Sequence, residues 1–383
     1  MIEGAHRRWP GFKRLIREEL AFIVVAGTLF AFQLFADDWL AVLETPLEAL
    51  LLFAWIFLAM LWASFGVVRH VDALAELLVE PYGTLILTLA VIGMEVALIA
   101  AVMLTGEGAP TLARDTMFAV LMIVLNGLVG AALLLGALRH TQQDYNLQGA
   151  RAYLAVMLPL AVFALVLPKF TRTTPDPTYS PVQALFFAVV TALLYGIFLG
   201  IQTGRHRSLF VPTATREDSG EIADESEPHH GPIYSAPYHG VLLLLTLLPI
   251  ILLSKRFAKL VDFGIVQFSA PVALGGVVVA LLVLTPEGLA ALSAARDNRL
   301  QRSVNLLLGS GLATIGLTVP AVLAISLFTG RTVTLGLDDA TMVLLLLTLI
   351  VSALTFGGVR TNLLQGAVHL VLFFVYLVLI FQP

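Results

Sequence analysis

Two glutamates, Glu95 and Glu287, each lie inside a long apolar stretch of this 383-residue chain. The first stands in GTLILTLAVIGMEVALIAAVM (83–103) and the second in GGVVVALLVLTPEGLAALSAA (275–295). A charged side chain at the centre of a membrane helix costs about 2.5–3.5 kcal/mol on insertion scales. Carboxylates kept at such depth bind cations or protons, so the pair predicts a cation or proton site.

Further oxygen ligands are available close to each glutamate. Pro286 precedes Glu287, and a proline inside a helix leaves the carbonyl four residues earlier, that of Leu282, without its usual donor. A free carbonyl beside a carboxylate suits hard cations such as Ca²⁺ or Na⁺. Thr88 precedes Glu95 by seven residues and therefore lies on nearly the same helical face. A kink without function is the alternative reading of Pro286.

Asn126, Ser310 and Thr314 lie on two later apolar stretches that are rich in small residues. Asn126 is a candidate ligand for the site. For Ser310 and Thr314, coordination and close helix packing are equally open, because small polar residues also let membrane helices approach each other.

The chemistry expected of such a site is exchange. A buried carboxylate without a cation tends to be protonated, and an arriving cation displaces that proton. Mutually exclusive binding combined with alternating access is the minimum that an antiporter needs. We therefore hypothesise that Glu95 and Glu287 hold either a metal cation or protons. Glu76 and Glu80, with Asp72 and His70 nearby, are expected at the cytoplasmic mouth, where they attract cations or only solvate a loop.

The composition indicates that lipid is the solvent for most of the chain. Hydrophobic residues make up 58% and charged residues 13%, and the mean hydropathy is +0.92, whereas soluble domains carry roughly 25% charged residues. The net charge of −4 and the lack of a basic block argue against a nucleic-acid partner. The chain has no cysteine, which excludes disulfides and thiol chemistry. We expect no cofactor besides the transported ions, and the oligomeric state stays open.

Because about 20 apolar residues cross a bilayer as a helix, the chain is predicted to be an all-α polytopic protein of the bacterial inner membrane. Lysine and arginine divide 15 to 7 between alternate loops, which favours a cytoplasmic N-terminus. The predicted spans number about eleven: 20–36, 46–68, 83–104, 116–138, 152–168, 182–202, 239–254, 270–294, 303–328, 340–356 and 363–381.

The sequence around the two glutamates also predicts an inverted repeat. Each glutamate span is followed by an Arg-Asp pair (Arg114-Asp115 and Arg296-Asp297) and then by a span rich in small residues. The two glutamate spans are the third and the eighth, and an odd separation gives them opposite orientations. Inverted repeats with ion sites at their interface are typical of secondary transporters. The predicted organisation is an extra N-terminal helix (1–45), a five-helix repeat (46–202), an acidic cytoplasmic loop (203–238) and a second five-helix repeat (239–383).

The repeats, the acidic loop and the one-plus-five-plus-five arrangement resemble the cation/proton exchangers of the calcium/cation antiporter superfamily. The resemblance rests on stretches such as VVRHVDALAELLVEPYGTLILTLAVIGMEVALI, APVALGGVVVALLVLTPEGLAAL and GVRTNLLQGAVHL, and it extends to the bacterial branch that exchanges Ca²⁺, Na⁺ or K⁺. It implies outward transport of such a cation against inward protons, with Glu95 and Glu287 as the exchange site. It also implies that helices two and seven slide to switch access.

One departure from this family bears on the choice of cation. Many calcium/proton exchangers carry a GNAxE-like sequence, whereas this chain reads Val-Ile-Gly-Met-Glu before residue 96 and Leu-Thr-Pro-Glu-Gly around Glu287. Loss of the asparagine oxygen leaves a monovalent-specific Na⁺(K⁺)/H⁺ antiporter as the alternative function. A cation channel and an intramembrane protease using Ser310 and His369 are rivals from other classes.

Overall fold

The computed structural model describes residues 16–41, 45–78, 93–100, 103, 110–140, 143–204, 207–210, 234–358 and 360–382. These residues are almost entirely helical, as expected of an apolar chain whose backbone groups find no partner in lipid. The helices before the acidic loop are α1 (Leu20–Ala41), α2 (Pro46–Leu77), α3 (93–100), α4 (Leu112–His140), α5 (Leu147–Lys169) and α6 (Pro181–Thr203).

Five helices follow the acidic loop. They are α7 (Ala236–Gln267), α8 (Ala273–Arg296), α9 (Leu300–Thr329), α10 (Asp339–Thr355) and α11 (Leu363–Phe381). Within the described part of the chain, eight helices are long and apolar enough to cross a membrane, and α10 and the first part of α1 are shorter apolar helices. The chain is therefore an all-α polytopic membrane protein. The predicted total of about eleven spans also counts α3, of which only 93–100 is described.

Successive helices alternate in direction, and two ends of the bundle result. One end, here called the Glu19 end, holds Glu19, the loop between α4 and α5, and the loop between α10 and α11. There Gln143–Asp144 (β1) and Arg360–Thr361 (β2) form a short antiparallel pair. The opposite end, here called the Asp338 end, holds the loop before α10, where the Lys169 ammonium contacts Asp339 at 2.5 Å. Helices α3 and α8 consequently run in opposite directions, as the inverted repeat requires.

The structure extends two spans well past their predicted ends. The 239–254 stretch is part of α7, which continues to Gln267, so Lys255, Arg256 and Lys259 belong to a helix and not to an outer loop. Arg256 remains compatible with an apolar helix because its long side chain reaches a polar partner, donating to Gln33 Oε1 of α1 at 3.0 Å. Similarly, α2 runs beyond residue 68 to Leu77.

Two apolar cores divide the bundle. The smaller core joins α1, α2 and α7 to one face of α3 and of α8, through residues such as Phe32, Met60 and Phe257. The larger core holds α4, α5, α6, α9, α10 and α11 together with the other face of α8. The two glutamate helices therefore lie at the boundary between the cores.

Candidate cation-binding site

Glu95 and Glu287 both lie at this boundary. Glu95 is 2% exposed, and Glu287 is half-buried with one carboxylate oxygen fully enclosed. The two carboxylates are close enough to repel each other electrostatically. Two ionised carboxylates cannot share a buried site without a positive partner, so this arrangement calls for a cation or a proton.

Helix α9 supplies hydroxyl groups to both carboxylates. Thr314 Oγ1 donates to Glu95 Oε2 at 2.7 Å, and Ser310, one turn earlier, interacts with the carboxylate of Glu287. Thr318, one turn later, lies beside Glu95. Residues four apart share a helical face, so Ser310, Thr314 and Thr318 form one row of hydroxyls along α9 that runs past both glutamates.

Each glutamate keeps one buried oxygen that is not hydrogen-bonded within the described residues, Oε1 of Glu95 and Oε2 of Glu287. Buried polar atoms are nearly always paired, and leaving one unpaired costs about 1–3 kcal/mol. Two such carboxylate oxygens in one place indicate a site that another species completes.

Helix α8 offers a third kind of oxygen, a backbone carbonyl. Pro286 lies inside this continuous helix and has no N–H to donate to the Leu282 carbonyl. Leu282 is buried, at 1% exposure. On α2, the half-buried Asp72 is near enough to act electrostatically on Glu287.

Asn126 is not part of this group. It lies in a π-helical turn of α4, Met122–Leu128, where its amide nitrogen donates to Thr348 Oγ1 at 2.8 Å. Its amide oxygen lies 3.2 Å from Nδ1 of the fully buried His369, whose Nε2 lies 3.0 Å from Thr355 Oγ1. The structure thus places Asn126 and His369 in a second polar network between α4, α10 and α11, in which both ends of the Asn126 amide are already paired.

The remaining predicted site residues divide into two groups. Thr88 and Glu80 lie outside the described residues. Glu76 is exposed on the last turns of α2 at the Glu19 end, and its role at a cytoplasmic mouth stays a prediction. The structure also identifies Thr318, which the sequence reasoning missed although it follows Thr314 by four positions.

The sequence and the fold can now be compared with known proteins. A model of the sodium/calcium exchanger protein family matches residues 48–204 and 238–382. The chain belongs to this family. The sodium-potassium/proton antiporter ChaA of Escherichia coli is 44% identical over 85% of this chain and 87% of its own length. A putative ionic transporter of Sinorhizobium fredii is 42% identical over 83% of this chain and 85% of that protein.

Solved structures give the same fold. The structure of native YfkE superposes with a TM-score of 0.71 at 16% identity, covering 95% of this chain and all of that one. The H⁺/Ca²⁺ exchanger CAX gives 0.65 at 17% identity over 94% of this chain and 88% of its own. The chain is therefore a multi-pass membrane transporter of the calcium/cation antiporter fold.

Proposed function

We propose that the chain exchanges a metal cation for protons at the site formed by Glu95 and Glu287. The observation that carries this proposal is the pair of carboxylates on antiparallel helices, each with a buried oxygen that lacks a partner among the described residues. A cation satisfies both oxygens and removes the repulsion between the carboxylates. Protons do the same, so the two species compete for one site.

The supporting side chains fit this competition. The hydroxyls of Ser310 and Thr314 accept as well as donate hydrogen bonds, so they can ligate a cation or donate to an ionised carboxylate. The Leu282 carbonyl is a further hard oxygen. The candidate ligands among the described residues are carboxylate, hydroxyl and carbonyl oxygens, which suit Na⁺, K⁺ and Ca²⁺ better than softer transition metals.

Na⁺ and K⁺ are the first cations to test, because the 44% identical relative is a sodium-potassium/proton antiporter. Ca²⁺ is the second candidate, and one observation favours it: two adjacent carboxylates supply a double negative charge. In the proposed cycle the chain, in the bacterial inner membrane with its Glu19 end in the cytoplasm, exports the cation while protons return. The excess of basic residues in the loops of that end supports this orientation.

Reconstituted vesicles carrying a pH-sensitive dye test the proposal. Adding Na⁺, K⁺ or Ca²⁺ separately to vesicles with an imposed pH gradient is expected to collapse the gradient with saturation for at least one of them. A channel conducts cations without a countergradient, and a protease moves none, so either outcome contradicts exchange. Parallel measurement of cleavage of a membrane substrate separates the last two.

A further inference from the structure

A small cavity of about 30 Å³ lies next to the glutamate site, between α2, α3, α4, α7 and α8. We call it the α7 cavity. Most of its lining residues are apolar, but Thr116 of α4 and Ser254 and Asp262 of α7 are polar. A cavity of this volume holds about two water molecules, or one cation that keeps some of its water. The three polar side chains therefore line a space that is large enough for an ion.

The α7 cavity extends from the glutamate site toward the Asp338 end. Its inner end is lined by Leu282, whose carbonyl is a candidate ligand, and by Ile99, which follows Glu95 by one helical turn. Its outer end is lined by the exposed Val272, just before α8 begins. Leu282 follows Gly275, another lining residue, by seven positions, which corresponds to about 10 Å along α8. The cavity thus covers the space between the glutamates and the Asp338 end.

Two glycines of α8 hold the walls of the cavity together. A Cβ on Gly276 would lie 2.6 Å from the backbone nitrogen of Thr116, so α8 contacts the backbone of α4 directly. A Cβ on Gly275 would lie 3.6 Å from Val261 of α7 and 3.8 Å from Leu112 of α4. The three helices therefore meet at this level, and the position of Thr116 on the cavity wall is set by backbone packing.

The hydroxyl of Thr116 lacks the partner that other buried threonines have. Thr191 and Thr246, which are equally buried, each donate to the carbonyl four residues earlier in their own helix, at 2.6 and 2.7 Å. Thr116 is 0% exposed, and its hydroxyl is not hydrogen-bonded within the described residues. Because buried polar atoms are nearly always paired, this hydroxyl indicates a species that enters the cavity.

Helix α7 contributes two further groups with oxygen atoms. Ser254 and Asp262 are eight positions apart and therefore lie on one face of the helix, two turns from each other. The Ser254 hydroxyl donates to the Ile251 carbonyl at 2.6 Å, and its oxygen still has lone pairs for a cation. Asp262, which is half-buried and nearer the Asp338 end, adds a carboxylate. Hydroxyl and carboxylate oxygens are the ligands that hard cations prefer.

The charge on the cavity wall is negative. Among the described residues that line the cavity, Asp262 is the only charged one, and none is a lysine or an arginine. Arg114, two positions before Thr116, is directed elsewhere: it contacts Asp115 at 2.8 Å and the Gly336 carbonyl at 3.2 Å. Apolar walls of low dielectric strengthen the field of a carboxylate in a cleft and raise the local concentration of cations.

We propose that Thr116, Ser254 and Asp262 form a second cation site, through which the transported ion passes between the glutamates and the Asp338 end. The ion keeps part of its water there, because three side chains supply fewer oxygens than the roughly six to eight that an ion such as Ca²⁺ takes. The site acts on ions that arrive from the Asp338 end and not on those from the Glu19 end. This effect on transport rests on the proposed function, whereas entry of a cation into the cavity does not.

A single thiol on the cavity wall tests entry of a cation, because the chain has no cysteine of its own. The probe is Ag⁺, a monovalent cation that replaces the proton of a thiol, applied to full-length Thr116→Cys in lipid nanodiscs and chloride-free buffer. Thiols that remain are counted after unfolding. We expect Ag⁺ to consume the thiol, excess Na⁺, K⁺ or Ca²⁺ to slow the reaction, and added Asp262→Asn to slow it by about tenfold or more.

Two controls make the result specific. Thr191→Cys places a thiol that is equally buried in a membrane helix but outside the cavity, and it should stay unreacted over the same period. Asp176→Asn removes an exposed carboxylate at the same end but outside the cavity, and it should leave the rate at Thr116→Cys unchanged.

Three results would overturn the second cation site. They are a Thr116→Cys thiol that does not react, an equal rate with Asp262→Asn, and a rate that none of the competing cations changes, since the cavity then holds water only. Should Asp262→Asn fail to fold, competition in Thr116→Cys alone decides the matter.

Sided exchange then tests the role in transport. In vesicles of known orientation, Asp262→Asn should raise the KM for a cation supplied at the Asp338 end by about tenfold and leave the KM at the Glu19 end unchanged. Asp176→Asn should change neither value. A KM that rises equally at both ends, or at neither, contradicts a site on one side. Absence of exchange in the parent protein refutes the proposed function alone, and the reaction with Ag⁺ still decides whether cations enter the cavity.

Discussion

The hydroxyl of Thr314 provides a sharp test of how the site discriminates between cation and proton. Thr314 donates to Glu95 Oε2 at 2.7 Å, in a place that is 1% exposed. This bond stabilises the ionised carboxylate, which is the form that binds a cation, more than it stabilises the protonated form. Replacing the hydroxyl with a methyl group in Thr314→Val keeps the shape and removes the donor, so the competition shifts toward the proton.

The magnitude follows from the kind of bond that is lost. A hydrogen bond to a charged group contributes about 1.5–3 kcal/mol, and each 1.4 kcal/mol is about tenfold in affinity. We therefore expect Thr314→Val to raise the apparent KM for the transported cation by roughly tenfold to a hundredfold at neutral pH. Raising the pH should restore much of the loss, because the competing proton becomes scarcer.

The assay is cation-dependent collapse of a pH gradient in reconstituted vesicles, titrated at several pH values. Thr191→Val is the matched control, since Thr191 is equally buried in a membrane helix but donates to the Phe187 carbonyl of its own helix. It should leave the KM unchanged. If Thr314→Val also leaves the KM unchanged at every pH, the assignment of Thr314 to the site is refuted.

Three further predictions concern residues outside the site. Asn126→Leu removes partners from the buried His369 and Thr348, so it should lower the free energy of unfolding by about 1–3 kcal/mol for each group left unpaired. The KM for the transported cation should stay at the wild-type value. A raised KM would show that Asn126 belongs to the site. Gly276→Ala places a Cβ 2.5 Å from the Asp115 backbone. It should destabilise the contact of α8 with α4 by about 1–3 kcal/mol, measured by thermal unfolding. Gly240→Ala, which has open space around the added Cβ, should leave the stability unchanged. Burial alone would raise the pKa of Glu19, but hydrogen bonds from His70 and Tyr238 and the charge of Arg69 lower it. Glu19 has a lowered pKa in the folded protein, so its contribution to stability is present above about pH 4.5 and is lost as the pH falls through the lower folded value. Glu19→Gln should reduce this acid-dependent loss in the free energy of unfolding. An unchanged dependence of the unfolding free energy on pH would contradict the lowered pKa of Glu19.

The main outline of the fold could be predicted from the sequence because lipid leaves few alternatives. Long apolar stretches in a bilayer form helices, and spans five apart run in opposite directions. The ends of the helices could not be predicted as well, as α7 shows. Hydropathy falls at Lys255, yet the helix continues to Gln267: Phe257 and Leu260 are buried in the smaller core, and Arg256 finds a tertiary partner in Gln33 of α1. Sequence periodicity contains no information on such a partner.

The candidate site, like the fold, could be predicted only in part. The two carboxylates can be identified from the sequence alone, because a charged group in an apolar stretch costs free energy in lipid. Which neighbours face them depends on how α9 rotates against α3 and α8. This rotation brings Thr314 to Glu95, and the π-helical turn of α4 directs Asn126 toward His369 and Thr348 instead. The spacing of four between Thr314 and Thr318 was the signal that could have identified the third hydroxyl.

The contact between His70 and His239 could not be predicted for a different reason. His70 and His239 are separated by 169 positions and lie in different halves of the chain. Neither stands in a motif, and their contact results from the packing of α2 against α7. Only the three-dimensional arrangement brings the two rings together.

The central claim is that Glu95 and Glu287 together form the exchange site. The most direct measurement is cation/proton exchange by Glu95→Gln and Glu287→Gln in reconstituted vesicles, with Glu48→Gln, at the exposed start of α2, as the control. Each site variant keeps the size of the side chain and removes the charge. The account predicts that both site variants lose exchange for every cation while Glu48→Gln retains it. Exchange that persists in either site variant at the wild-type rate would contradict the claim.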